Sequence, residues 1–600
     1  MLFFISILII VIIIVNGREI KHEKIECDNF ESQLCLDLVN EYYGINEEQL
    51  MGYHEMQRLI LSDSIECHYI YDVCPMFVSP IIGEKKECID NSIQFIDEDG
   101  NIKYYDCNGV DLFSFIPLEM LGSNNNASGA DIWGYQTVND NGIVTNHYAI
   151  TCQADGVSIV DVTNPIIPNV LAFIVSNVDG PLRNVLWRDV KTYKEFAIVS
   201  ADTGVIDDHS LQIFNLTKII NDAIIYQNIN GNNAIYNVPK NDTIIYDELG
   251  RCHNVYVNEE LGHLYAFGSN GINGNTCGSG IHIIDINNPL NPTFIACYDD
   301  AGYVHDAQCV VYHGPDTRYS GNEICFMFTP EAKNLTIIDI TDANNIELLS
   351  STTYVTSSYN HQGWITSSHE YLLLDDETDE GPLPERFPPF WDKQTTYIFD
   401  IKDLTSPQFK NIYFSDVRTV DHNQYILDNE LNCSDDNYIG YTFQANYEFG
   451  LRILNINDIS NEKNNTLKEI AYFDVYPWKY HDNGSMVWDN IKFFGAWSVY
   501  PYFNEIGTNP KDNIYSNTTI VQTTTTGLYI LSFYKDGLTS PLSFPNNESN
   551  NKFEWNKWYG ILIIILLVLI AFLCITFTCK MFCKSSKNDK SKLIKDYENS

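Results

Sequence analysis

Basic residues are scarce in this 600-residue chain: 36 Lys and Arg stand against 79 Asp and Glu, a formal net charge of -43. A surface of that sign repels phosphate backbones, which excludes nucleic acid as a partner. It favours solubility first and cation binding second. The familiar catalytic signatures are missing as well: no serine nucleophile elbow, phosphate-cradling glycine loop, zincin helix or dinucleotide fingerprint occurs. The glycine-rich run from Gly268 to Gly280 has no helix after it and reads as a loop. Length alone calls for more than one domain.

What the chain does have is a repeat. Short apolar, β-branched cores end at Asp161, Asn215, Asp285, Asp339, Asp400, Asn455 and Ser532. They recur every ~60 residues, with room for several short strands in each, which suits propeller blades rather than a helical solenoid. Seven cores imply a mainly β, seven-bladed β-propeller.

Both ends are hydrophobic. The apolar run from Met1 to Val15, followed by Asn16 and Gly17, reads as a secretory signal over 1–17, though no basic segment precedes it. The uncharged run from Tyr559 to Thr578 is long enough to span a bilayer. The lysines that follow, Lys580 to Lys595, place the tail in the cytosol. The expected order is a disulfide-rich module over 18–108, the propeller over 109–535, a stem over 536–558, one transmembrane helix over 559–579 and a cytosolic tail over 580–600. That is a single-pass type I protein of the plasma membrane or an endomembrane, with its N-terminal ectodomain outside or lumenal. Sequons at Asn126, Asn215, Asn241, Asn334, Asn432, Asn464, Asn483, Asn517 and Asn547 agree with this, as do 16 cysteines.

Cys27, Cys35, Cys67, Cys74, Cys88 and Cys107 fall close enough together to staple a small helical module, with the connectivity open. Cys309 and Cys325 flank a hairpin, and Cys277 can reach Cys297 across two strands. Cys152, Cys252 and Cys433 have no evident partner. The stretch from Cys67 to Pro80 resembles the core of a Frizzled-type cysteine-rich domain. It has fewer cysteines than that family, so lipid or ligand binding is not carried over.

The third repeat shows the unit best: HNVYVNEE from His253, GHLYAFGSN from Gly262, GIHIIDI from Gly280 and PTFIACYDD from Pro292 read as strands from inner to outer. No outer strand follows Ser532, whereas Gly109–Leu118 looks like one lying just before the first inner strand. Gly109–Leu118 is therefore expected to close the seventh blade and remove an open sheet edge. The repeat cores resemble LVIVD repeats. The run from ADIWGY through WRDVKTY, HNVYVNEE, HDAQCVVYHGPD, NHQGW, LLLDDE, DHNQY, QANYEFGLRIL and GAWSVYPYF resembles, in collinear order, the choice-of-anchor B family. The resemblance implies an extracellular or membrane-anchored propeller without a settled activity.

Chemistry is expected where the inner strands begin: Asp131-Ile132-Trp133, Trp187-Arg188-Asp189, His253-Asn254, His305-Asp306, His361-Gln362, Asp421-His422-Asn423 and Ala496-Trp497. These ends share one face of the disc, so His253, His305, Asp306, His361 and His422 converge on one mouth of the axial tunnel. Carboxylates beside them (Asp189, Asp375, Asp376, Glu377 and Asp421) suit orienting the imidazoles or binding a cation directly. Three readings compete: a structural hydrogen-bond ring, a divalent cation site for Ca, Zn, Cu or Fe, and metal-free catalysis. Four-histidine iron on a seven-bladed propeller occurs in the carotenoid oxygenases, an analogy of fold alone. His282, His313 and His369 read as structural. The functional expectation is a cell-surface glycoprotein recognising an extracellular protein or glycan. The alternative is a metal-dependent oxidoreductase or hydrolase at the tunnel mouth.

Overall fold

Each repeat core folds as the third strand of an antiparallel sheet: Gly156–Asp161, Leu211–Asn215, Ile281–Asp285, Asn334–Asp339, Thr395–Asp400, Leu451–Asn455 and Gly527–Ser532. The recurrent terminal Asp or Asn has a local cause. Its side chain accepts a backbone N–H two residues on, at Thr163, Asn287, Thr341, Lys402 and Asn457, and so starts the turn to the outer strand. Asn215 instead caps a helix, Leu216–Asn230, by accepting from the Lys218 N–H at 2.7 Å.

The computed structural model describes residues 7–9, 25–27, 78–96, 102–123, 127–177, 185, 187–202, 209–270, 277–354, 357–377, 393–461, 467–476 and 493–538, all within the unit Met1–Thr539. Seven sheets of four to six strands make the seven-bladed propeller. The inner strands are, in order, Gly129–Val138, Val190–Tyr193, Val255–Asn258, Asp306–Val311, Asn360–Ile365, Asn423–Asp428 and Ala496–Tyr500. After the helix of blade 2, Tyr236–Asn237 pairs in parallel with the outer strand of blade 1, and Thr243–Tyr246 then completes blade 2.

Half-buried alternation is what the sequence suggests for these strands, but most are buried on both faces. Successive residues of one strand enter different cores: Ala197 and Val199 pack with blade 1, whereas Ile198 packs with blade 3. Each blade is thus sandwiched between two neighbours, which explains the nearly continuous apolar cores of the repeats. Alternation with solvent survives at the rim, as in Glu347–Thr353.

The ring is closed from the N-terminal side. Asp111–Pro117 pairs antiparallel with Gly527–Ser532 as the outer strand of blade 7. Gly527 is required there: its φ is +149°, and a Cβ would lie 2.1 Å from the Ile116 carbonyl oxygen. Upstream, Ile102–Asn108 adds to the outer strand of blade 6 and forms a hairpin with Ser92–Ile96. The Cys88–Cys107 disulfide spans this hairpin. These two cysteines therefore belong to the propeller rim rather than to a separate module ending at 108. A two-stranded pair joins Ile7–Ile9 to Ile25–Cys27. Cys35, Cys67 and Cys74, most of the leader, the stem beyond 538, and the whole of the transmembrane run and tail lie outside the described residues. Among the described residues no helix is long and apolar enough to cross a membrane.

Disulfides also join Cys277 to Cys297 and Cys309 to Cys325, while Cys152, Cys252 and Cys433 are free and buried. Of the sequons, Asn241 and Asn432 are exposed, and Asn215, Asn334 and Asn517 are partly buried. Asn126, Asn464, Asn483 and Asn547 lie outside the described residues.

Closure places a fully buried ring, Phe115, 4.6 Å from that of Tyr529. Phe115→Ala is expected to cost ~3–5 kcal/mol in urea unfolding, as for other large core truncations. Phe294→Ala, on the outer strand of blade 3 and 46% exposed, should change stability by less than ~0.5 kcal/mol. Equal effects would mean that the closing strand does not hold the ring.

Candidate functional site: an imidazole arc at one tunnel mouth

The seven inner strands start at one face, and their first residues form three layers down the axis. Register shifts at Gly129/Ile132, Asn360/Gln362 and Ala496/Ser498 break the pleat there and let consecutive residues serve different partners. The first layer holds Arg188, His253, His305, His361, His422 and Trp497. The second holds Asp131, Asp189, Asn254, Asp306, Gln362, Asn423 and Ser498. The third holds Trp133, Lys191, Tyr256, Gln308, Trp364, Tyr425 and Tyr500.

The second layer ties each blade to the next. Asp131 accepts the Val190 N–H at 3.2 Å, and Asp189 accepts the Val255 N–H at 2.7 Å. Asn254 donates to the His305 carbonyl at 3.2 Å, and Asn423 donates to the Trp497 carbonyl at 3.0 Å. Gln362 both donates to the Gln424 carbonyl and accepts its N–H, each at 3.0 Å. Lys191 is buried between Asp131, at 3.3 Å, and Asp189.

In the first layer the four histidines of blades 3 to 6 stack edge to edge as an arc. Ring centroids are 4.3 Å apart for His253–His305, 4.0 Å for His305–His361 and 4.3 Å for His361–His422. The arc ends on Trp497, 4.7 Å from His422. Nδ1 of His305 lies 2.9 Å from the His361 carbonyl, Nδ1 of His361 3.1 Å from the His422 carbonyl, and Nδ1 of His422 2.6 Å from the Trp497 carbonyl. A carbonyl oxygen only accepts, so each Nδ1 carries the proton and donates it. In the neutral ring that leaves Nε2 with a free lone pair.

Burial keeps these rings neutral. It depresses the pKa of His305 and His361 well below the usual value, aided by the neighbouring histidines, and takes His422 to about 3. His253 differs: its Nδ1 faces Asp202 at 3.1 Å, and Asp202 also pairs with Arg251 at 2.8 Å. Blade 2 places Arg188 where the others have histidine, which ends the arc. Its guanidinium donates to the Ala154 carbonyl, Ser176 and Nε2 of His209.

As Asp202 meets His253 at one end of the arc, Glu377 meets His361 and His422 at the other. Its Oε2 lies 3.8 Å from Nε2 of His361, and its Oε1 lies 4.0 Å from Nε2 of His422. The Tyr447 hydroxyl donates to Oε1 at 2.9 Å and fixes the carboxylate. His361, His422 and Glu377 thus gather three ligand atoms within 4.8 Å of one another. His253 and His305 are outside this set and pack behind it. Asp376 has a structural task, accepting the Tyr354 hydroxyl and the Ser358 and Tyr359 N–H groups. Asp375 and Asp421 are fully buried. Asp189 and Asp306 sit one layer deeper than the imidazoles. Asp379 and Glu380 lie outside the described residues.

A second cluster, Cys277, His282 and Cys297, also meets the spacing for a metal, but the two sulfurs are joined to each other. His282 is held by the Tyr246 hydroxyl at 2.8 Å from Nε2. His313 lies 3.2 Å from Glu260 on the other face, and His369 accepts the His313 N–H. Sequence reasoning missed Lys191, Tyr447 and the aromatic third layer. The recurrence of Trp or Tyr three residues after the layer-one position, at Trp133, Tyr256, Trp364, Tyr425 and Tyr500, was the available signal.

No family model matches the chain, and no curated protein matches it. Solved structures match at low identity. The β-propeller domain of Cps50 (Swd1) from Myceliophteria thermophila is 10% identical, over 68% of this chain and 97% of that one, with a TM-score of 0.37. Hydrazine synthase from Kuenenia stuttgartiensis is 12% identical over 65% and 93%, with a TM-score of 0.38. The N-terminal domain of Nup159 is 10% identical over 68% and 90%, with a TM-score of 0.37.

Histidines away from the arc make the fold sensitive to acid. Burial lowers His147, His282 and His369 to about 4, and burial with the nearby Arg188 charge lowers His209 to about 3. Unfolded, each titrates near the ordinary imidazole value of about 6.5, so below it the unfolded chain binds more protons. Their stabilisation is full above that pH and is lost as pH falls toward 4, by up to ~1.4 kcal/mol per unit for each group. His263, raised by Glu323, and the buried carboxyl of Asp306 act in the opposite sense. The melting temperature should drop clearly from pH 7 to pH 5, with a shallower drop in His282→Gln. A flat profile would contradict neutral burial.

Proposed function

We propose that the chain is a membrane-anchored extracellular propeller whose imidazole-lined mouth binds one divalent transition metal through His361, His422 and Glu377. The observation that carries this is the fixed tautomer. With Nδ1 committed to the next blade, Nε2 of each ring is an unprotonated lone pair, and two of them flank one carboxylate. Imidazole nitrogen with carboxylate oxygen suits zinc or non-haem iron, and two His with one carboxylate leaves coordination positions open for water or substrate. Metal–ligand bonds of 2.0–2.2 Å imply ligand edges of about 3.3 Å in a tetrahedral site. The gaps of 3.8 and 4.0 Å therefore close by about 0.5 to 0.7 Å on binding. Tyr447, holding the carboxylate, is the outer partner that such a site needs. A bound metal would supply Lewis acidity or redox chemistry at the mouth of the tunnel.

Placement outside the cell rests on the leader, the apolar run over 559–579 and the sequons, of which Asn241 and Asn432 are exposed enough to be glycosylated. The collinear motifs from Ala130 to Phe503 support grouping the chain with choice-of-anchor B proteins. A second reading, recognition of an extracellular protein or glycan, is favoured by the broad faces of a seven-bladed disc and does not require the metal.

Elemental analysis of the full-length protein, purified without chelator or nickel resin, is the test. About one zinc or iron per chain is expected, lost in His361→Ala and in Glu377→Gln but kept in His313→Ala, which lies on the opposite face. Folded protein without metal, or metal that survives both site variants, removes the metal reading and leaves recognition.

A further inference from the structure

The third layer of the tunnel brings aromatic side chains together across the axis. Trp133 of blade 1 lies 5.5 Å from Tyr425 of blade 6, and Tyr256 of blade 3 lies 5.8 Å from Trp364 of blade 5. Trp364 and Tyr425 are 5.0 Å apart. Because both pairs skip a blade, these rings meet over the axis. On the face away from the imidazoles, Trp133, Tyr256 and Trp364 floor a cavity of about 340 Å³, walled on one side by Val257 and Val311. This size falls in the range of small-molecule sites.

One cation lines that floor, Lys191, and it is engaged by Asp131 and Asp189. Glu259 stands exposed at the rim and makes no hydrogen bond or ion pair among the described residues. Glu259 belongs to the lining of the cavity, with Tyr256 and Trp364. Below the floor Asp189 offsets Lys191, while burial holds the carboxyls of Asp131 and Asp306 well above the ordinary carboxylate range. The Lys191 ammonium itself lies 4.7 Å from the Trp133 centroid, a cation already held by a ring of this floor. Most other polar groups of the wall are engaged: Oδ1 of Asn258 accepts the Glu260 and Leu261 N–H groups, Glu260 pairs with His313, and His369 accepts the His313 N–H. They leave no array of free donors and acceptors for the hydroxyls of a sugar.

We propose that this cavity binds a small organic ammonium group, with the faces of Tyr256 and Trp364 against the cation and Glu259 as its counter-charge. Aromatic faces attract a desolvated ammonium through the ring quadrupole, and a single free carboxylate supplies direction. The site is separate from the metal centre and does not depend on it.

Calorimetric titration of the full-length protein with choline, tetramethylammonium and the neutral carbon isostere of choline tests this. Both cations should bind, and the isostere should bind at least about tenfold more weakly. Glu259→Gln, at an exposed position, should keep its melting temperature and lose about tenfold in choline affinity. Trp364→Ala should lose at least as much. Binding of the isostere as tightly as choline, unchanged affinity in Glu259→Gln, or no heat with either cation overturns the proposal.

Discussion

Everything in this fold depends on how one blade is hydrogen-bonded to the next at the start of its inner strand. A propeller has no central core; its axis is a tunnel, and the polar groups of seven strand ends crowd around it. Unmade bonds to buried donors or acceptors there cost ~1–3 kcal/mol each. The chain meets this with side chains that reach sideways: carboxylates onto N–H groups in blades 1 and 2, amides onto carbonyls further round, and imidazole Nδ1 onto carbonyls from blade 4 to blade 7. Closure by Asp111–Pro117 completes the same ring from outside.

The structural and chemical readings of the histidines are therefore not rivals. An imidazole has two nitrogens, and fixing one sets the state of the other. The bond that ties His361 to blade 6 and His422 to blade 7 is also what turns both Nε2 lone pairs toward Glu377. Stacking at about 4 Å strengthens this, since a charge on one ring would oppose a charge on the next, and burial disfavours any charge at all. Neutral, oriented and adjacent is the state a metal ligand needs.

Much of this was legible in the residues and some was not. The blades could be read because Asp and Asn end each third strand for a local reason, the turn they nucleate. The histidines could be placed at one mouth because all inner strands run the same way. The carboxylate could not be singled out: Asp375, Asp376 and Glu377 are consecutive, and strand geometry sends Asp376 back to its own loop while Glu377, at the turn beyond the strand, reaches the arc. Half-burial was the wrong expectation for the strands because a blade has two neighbours, a property of the ring and not of any single sheet. The boundary at 108 failed similarly, since Ile102–Asn108 joins blade 6 through only two register pairs, which no local pattern announces.

The aromatic layer gives the two mouths different characters. Above it, Nε2 atoms and one carboxylate face each other at distances a metal can close; below it, ring faces and a carboxylate unpaired among the described residues suit a soft, weakly hydrated cation. Between them lie Asp131, Asp189 and Asp306 with one ammonium, Lys191. Burial and the Asp189 charge hold the Asp306 carboxyl well above its ordinary pKa, so protons already compensate part of that negative charge. Burial raises Asp131 in the same way, so Asp189 and Lys191 are left to balance each other, and the crossed rings of Trp133, Tyr425, Tyr256 and Trp364 stand between the ends. Charge at the axis is thus kept close to balance where dielectric screening is weakest, and the acidity of the chain is left to the carboxylates that solvent covers.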